Sequence, residues 1–96
     1  MVTLNLKLSN YISHKEANKM NFEQLTKAMN EQYVIVTDTE EAGIICSGDL
    51  SHLVKTTMAQ ALKDKKVLIF KQFTEQDLVE WGLDREIEAC FIVIDF

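Results

Sequence analysis

The stretch from residue 33 to residue 71 limits this chain to a small set of folds. It reads YVIVTD, a polar turn TEEAG, IICS, a helical pattern GDLSHLVKTTMAQALKDKK and then VLIFK. Residues 34–36 and 44–46 are short β-favouring runs joined by a turn containing Gly43, which predicts a hairpin. Leu50, Leu53, Val54, Met58, Ala61 and Leu62 then recur on one face at helical spacing, and residues 67–70 are too short an apolar run for anything but a strand. The expected unit is a strand pair, a covering helix and a returning strand.

The flanks extend that unit. Residues 1–8 alternate strictly, with Val2, Leu4, Leu6 and Leu8 on one side, the pattern of a strand with one wet face. Ser13 with Glu16 three residues on makes a capping box, predicting a helix from Ser13 to about Asn30 with a kink or break at Asn21. Thr74 and Asp77 repeat the cap signal for a short helix over residues 75–81, closed by Gly82 where a left-handed terminus costs little. The last segment, ACFIVIDF, is apolar on both faces and is expected inside the sheet rather than at its edge.

The predicted order is strand, helix, strand, strand, helix, strand, followed by helix and strand. Its first six elements match the ferredoxin-like βαββαβ arrangement. The expectation is an α+β two-layer sandwich, mainly antiparallel with its helices on one face, carrying a C-terminal αβ addition. Regulatory ligand-binding folds and roadblock or profilin sandwiches present similar orders, so architecture leaves function open. A chain of 96 residues without proline, and with three glycines, offers no linker and reads as a single domain, residues 1–96. It can bury roughly 60–70% of the surface it exposes unfolded, enough for one modest core.

Several function classes lose support at this stage. The longest apolar run, residues 89–94, is far short of the roughly 20 residues of a membrane helix, and no basic segment followed by an apolar one opens the chain. Cys46 and Cys90 both sit in apolar strand runs, as small hydrophobes do, which predicts a reduced, cytoplasmic setting. Ser47, Asp49 and His52 carry letters suited to nucleophilic catalysis. They are too close in sequence to converge from separate elements, and Asp49 is better used as a helix N-cap. Cys46, Cys90, His14 and His52 show no zinc-ligand spacing, and the acids Asp38, Glu40, Glu41 and Asp49 read as solvated turn residues rather than a cation site. Gly43 and Gly48 form no phosphate loop, so no metal or cofactor is expected. Lys63, Lys65 and Lys66 end a helix, where its dipole favours them, and lack the interleaved aromatics of a nucleic-acid surface.

Charge distribution is the informative signal. The net charge is −5, yet residues 1–71 hold nine lysines against eight acids, whereas residues 72–96 hold seven acids against Arg85 alone. Glu75, Asp77, Glu80, Asp84, Glu86 and Glu88 surround Trp81 in sequence. An aromatic among like charges is a common composition for a contact anchor with a steering rim. The plainer use of the same residues is Trp81 packed beside Leu78, with Glu75 and Asp77 favouring a helix N-terminus. The expectation is a non-enzymatic acidic interaction protein, of the inhibitor, antagonist or immunity type. It would bind a basic protein surface, such as one that normally holds nucleic acid, without contacting nucleic acid or membrane itself. The alternative is a regulatory module that forms a homodimer through its sheet and binds a small ligand near residues 9–13. An enzyme built on the hairpin acids and His52 is the weakest reading.

Overall fold

The computed structural model describes residues 14–38 and 43–95. Along them lie α1 (His14–Ala17), α2 (Phe22–Ala28), β1 (Tyr33–Asp38), β2 (Ile44–Asp49), α3 (Leu50–Leu53), α4 (Thr57–Leu62), β3 (Val67–Gln72), α5 (Glu75–Glu80) and β4 (Ala89–Ile94). The expected first strand, the Ser13 cap, the ligand region at residues 9–13 and most of the hairpin turn fall outside the described residues.

Among the described residues the fold is α+β around a four-stranded mixed sheet of order β2-β1-β4-β3. β1 is antiparallel to β2, as the hairpin required, but parallel to β4, which is in turn antiparallel to β3. The ferredoxin-like order is therefore corrected by the strand order, while the C-terminal strand lies inside the sheet as expected, between β1 and β3. The physical reason is burial on both faces. Five of the six β4 residues are buried, and a run apolar on both sides is stable only where both sides are covered.

Alternation assigns the faces. Val34 and Val36 of β1, Cys90, Ile92 and Ile94 of β4, and Val67 and Phe70 of β3 join one core with Ala17, Phe22, Leu25, Met29, Leu50, Leu53, Ala59 and Leu62 from α1 to α4. Phe91 points to the opposite face. There it meets Phe73 and Trp81, at ring-centroid distances of 6.5 and 5.6 Å, from the two ends of the α5 segment. The expectation of helices on one face alone thus fails for α5, which packs through these aromatics on the other side.

Two predicted helices are each broken in two. The first is interrupted at Asn21, whose side chain accepts from the Gln24 backbone N–H at 2.8 Å while Gln24 returns the bond to the Asn21 N–H at 2.9 Å. That reciprocal cap starts α2 afresh. Across the break, Phe22 N–H donates to the Lys65 carbonyl and Val67 N–H to the Met20 carbonyl. With its nitrogen facing inward, the Asn18 amide donates to the carbonyls of Val67 and Leu68 at 2.9 and 3.1 Å. The start of β3 is tied to this segment, and the backbone groups involved are unavailable to a continuous helix.

The second helix breaks between Val54 and Thr56. The Thr56 hydroxyl donates to the Leu53 carbonyl and accepts from the Ala59 N–H, capping α4. The break resets the helical phase. Ala59 is buried in place of Met58 and Ala61, which the unbroken stripe placed inside and which are exposed. Asp49 occupies the N-cap position of α3 without making a side-chain cap bond. The capping is done from 20 residues away: Glu31 accepts from the Ser51 N–H and hydroxyl at 3.0 and 3.1 Å, and Leu50 N–H donates to the Gln32 carbonyl.

Both cysteines are free thiols. Burial pushes the Cys90 thiol up to about 12, and raises Cys46, which is half-buried, in the same direction. The thiolate is the reactive form, so iodoacetamide at pH 8 should modify Cys46 slowly and Cys90 only after unfolding. Mass analysis of the labelled native and urea-unfolded protein measures this, and rapid native labelling of Cys90 would contradict the packing of β4.

Candidate functional site

α5 is a short helix fixed at both ends by its own sequence. At its start the Thr74 hydroxyl caps the Asp77 N–H, and one Asp77 carboxylate oxygen accepts from the Thr74 N–H at 2.9 Å and its hydroxyl at 3.0 Å. At its end Gly82 adopts φ +74°, with Gly82 N–H donating to the Val79 carbonyl and Leu83 N–H to the Leu78 carbonyl. This paired pattern is the Schellman terminus, and a left-handed residue there favours glycine. Leu78 is the buried residue of the helix, and Val79 and Trp81 are exposed.

Trp81 is not a core residue. It is 43% exposed yet held by two rings, 5.7 Å from Phe73 and 5.6 Å from Phe91 at tilted angles. Such packing contributes beyond area burial and leaves one side of the indole facing solvent in a fixed orientation.

The acidic residues around it divide into two groups. Asp77 is committed to the helix cap and to Lys71, whose ammonium lies at 3.3 Å, and Glu75 pairs with Arg85 at 3.1 Å. The other group comprises Glu80, Asp84, Glu86 and Glu88, all exposed on the end of α5 and the loop entering β4. Glu80 accepts from the Gln76 amide, and Asp84 accepts from the Glu86 N–H to shape the loop. Among the described residues, no ion pair neutralises these four. The seventh acid of the terminal quarter, Asp95, lies at the other end of β4, where its N–H donates to the Lys66 carbonyl.

The tertiary structure adds two carboxylates that the sequence reading did not include. Tyr33 N–H donates to the Glu88 carbonyl, and Tyr33 pairs with both Asp49 and Ala89, so three chain segments converge at one end of the sheet. Glu31, Asp49 and Glu88 line a depression there with Gln32, Tyr33 and Ile87. Lys65 and Lys66 precede β3 at the opposite end, because β3 and β4 are antiparallel. A six-residue strand spans about 20 Å, so these two lysines are separated from the acidic end by more than a screening length. The hairpin alone places Asp49 beside Tyr33. Bringing Glu88 to the same place needed the parallel β1–β4 pairing, which has no local signature.

Glu40, Glu41 and the His14 side chain fall outside the described residues, and Ser47 and His52 are not brought together. Ser47 accepts from the Tyr33 hydroxyl at 3.4 Å, and His52 lies 4.0 Å from Asp49 on the surface. Among the described residues no hydrogen bond joins Ser47 to His52, and no cluster of three His, Cys, Asp or Glu side chains is arranged to hold a metal ion. No described helix is long and apolar enough to cross a membrane.

Asp77 gives this surface an acid limit. The Thr74 backbone N–H above all, then the Thr74 hydroxyl and the Lys71 ammonium, hold its carboxyl below the usual carboxylate range. A group depressed in the folded state stabilises above its unfolded pKa, near 4, and loses that contribution as pH falls through the folded value. Asp77→Asn should therefore lower stability at pH 7 and flatten the fall in stability below about pH 4. Urea titrations of both proteins between pH 2 and 7 measure it, and parallel curves would show that the cap is not coupled to α5.

No protein-family model matches this chain, and no curated protein or solved structure shows significant similarity to it.

Proposed function

We propose that this protein is a non-enzymatic interaction module that docks a basic surface of a partner protein through the acidic end of its sheet. One observation carries the reading: a solvent-facing Trp81 held on Phe73 and Phe91, beside four carboxylates that no described cation neutralises. The carboxylates raise the encounter rate and disfavour acidic competitors, and the indole supplies the short-range anchor. Occluding a partner's site requires no catalytic group, so an inhibitor, antagonist or immunity-type role follows. A partner surface that ordinarily holds nucleic acid is the natural target, because phosphate-binding patches are rich in Lys and Arg. Two free thiols, one of them fully buried, fit a reducing cytoplasm.

The seven residues named from sequence divide within this proposal. Glu80, Trp81, Asp84, Glu86 and Glu88 form the contact, joined by Glu31 and Asp49, and Glu75 and Asp77 position α5 behind it.

The test is capture of partners from the source cells at 50 and 500 mM salt. It compares the native chain with a variant carrying Glu80→Gln, Asp84→Asn, Glu86→Gln and Glu88→Gln. The proposal expects a basic protein retained by the native chain at low salt, released at high salt and not retained by the variant. Exposed charges are screened beyond about 10 Å at 0.1 M salt, so retention that ignores both salt and the variant would overturn it.

A further inference from the structure

We infer that the groove between α2 and the α3–α4 pair is a binding site for a small amphiphilic carboxylate, on the opposite face of the sheet from α5 and meeting the docking surface only at Glu31. The groove encloses about 440 Å³, within the roughly 300–1,000 Å³ of small-molecule sites. Its floor is apolar: Phe22, Met29, Leu50, Val54 and Ala59. The concavity follows from the break at residues 54–56. By resetting the helical phase, it turns the small Ala59 inward where a continuous stripe would have presented Met58.

The polar groups of the wall decide what head group fits. The Thr26 hydroxyl is already given to the Glu23 carbonyl, and the Gln60 amide to the Val54 carbonyl. Both Glu31 oxygens accept from Ser51 at one end of the groove. At the other end Glu23 N–H donates to the Lys63 carbonyl, and Glu23, Lys27 and Lys63 all line the wall. Glu23 bridges Lys27 at 3.8 Å, and no described ion pair occupies Lys63. That end carries one cation more than it carries anions. A carboxylate there completes the pairing while its apolar body covers the floor; an ammonium of the same shape meets a net positive end.

Octanoate is the probe, with octylammonium and octanol as chain-matched controls, each titrated into the 13C-methyl- and 15N-labelled protein. Saturable shifts at Met29, Leu50, Val54 and Ala59 with octanoate, stronger than with octanol and absent with octylammonium, are expected. Lys63→Glu, on an exposed side chain, should weaken octanoate about fivefold, the scale of reversing a solvent-exposed pair. Val54→Phe, filling the half-open floor, should abolish the shifts while leaving the amide spectrum of the sheet in place. Octylammonium binding as well as octanoate, an unchanged affinity in Lys63→Glu, or shifts mapping outside the groove would each overturn the inference.

Discussion

Ile92→Ala will lower the unfolding free energy by about 3–4 kcal/mol, the range for deleting a buried branched side chain that leaves a cavity. Ile92 is fully buried at the centre of β4, paired with Val36 on one side and Phe70 on the other, within the core shared with the helices. The space of one methylene and two methyl groups cannot be refilled from two neighbouring strands fixed by their own ladders. A domain of this size holds a reserve of about 5–10 kcal/mol, so the variant should sit near the edge of folding at 37 °C. Ile69→Ala is the internal control. Ile69 lies in β3 at the margin of the sheet and is 46% exposed, so its loss should cost less than about 1 kcal/mol. Urea unfolding followed by circular dichroism compares the two. Equal costs would mean that β4 is not the central strand.

Trp81→Ala should weaken binding to the captured basic partner by about 2 kcal/mol, roughly thirtyfold, as expected of a central aromatic anchor. Its structural role predicts a smaller stability loss, near 1 kcal/mol, from the contacts with Phe73 and Phe91. Trp81→Phe separates the two roles by keeping most of the ring packing while removing the indole N–H and outer area. The docking reading requires its affinity to fall between native and alanine forms at near-native stability. Calorimetric titration at 50 mM salt, with thermal unfolding of the same samples, reads both quantities. A variant that loses stability but keeps full affinity would assign Trp81 to packing alone, leaving the carboxylates without an anchor.

The local elements were legible because their signals are local. Thr74, Asp77 and Gly82 lie within nine residues of one another and make the cap and terminus they announced. The same holds for the hairpin partners, and for a final strand too apolar to tolerate water on either face. The second long helix was misread as unbroken, and the first was marked at Asn21 without its cause, for a reason that is also physical. Periodicity registers the spacing of apolar side chains but not competition for backbone groups. Asn21, with Gln24, and Thr56 take up the amides and carbonyls that a continuous helix needs.

Sequence alone determined that the chain's surplus carboxylates lie in its last quarter, that Trp81 is among them, and that Thr74 and Asp77 carry a helix-cap signal. Only the tertiary structure decided which charges share a place. The parallel pairing of β1 with β4 carries Glu88 to Tyr33, the antiparallel hairpin brings Asp49 there, and Glu31 arrives as the distant cap of α3. The reason is range. A cap or a terminus is settled among side chains a few residues apart, whereas strand order is settled by which segment best fills the doubly covered centre of the sheet, a comparison made across the whole chain.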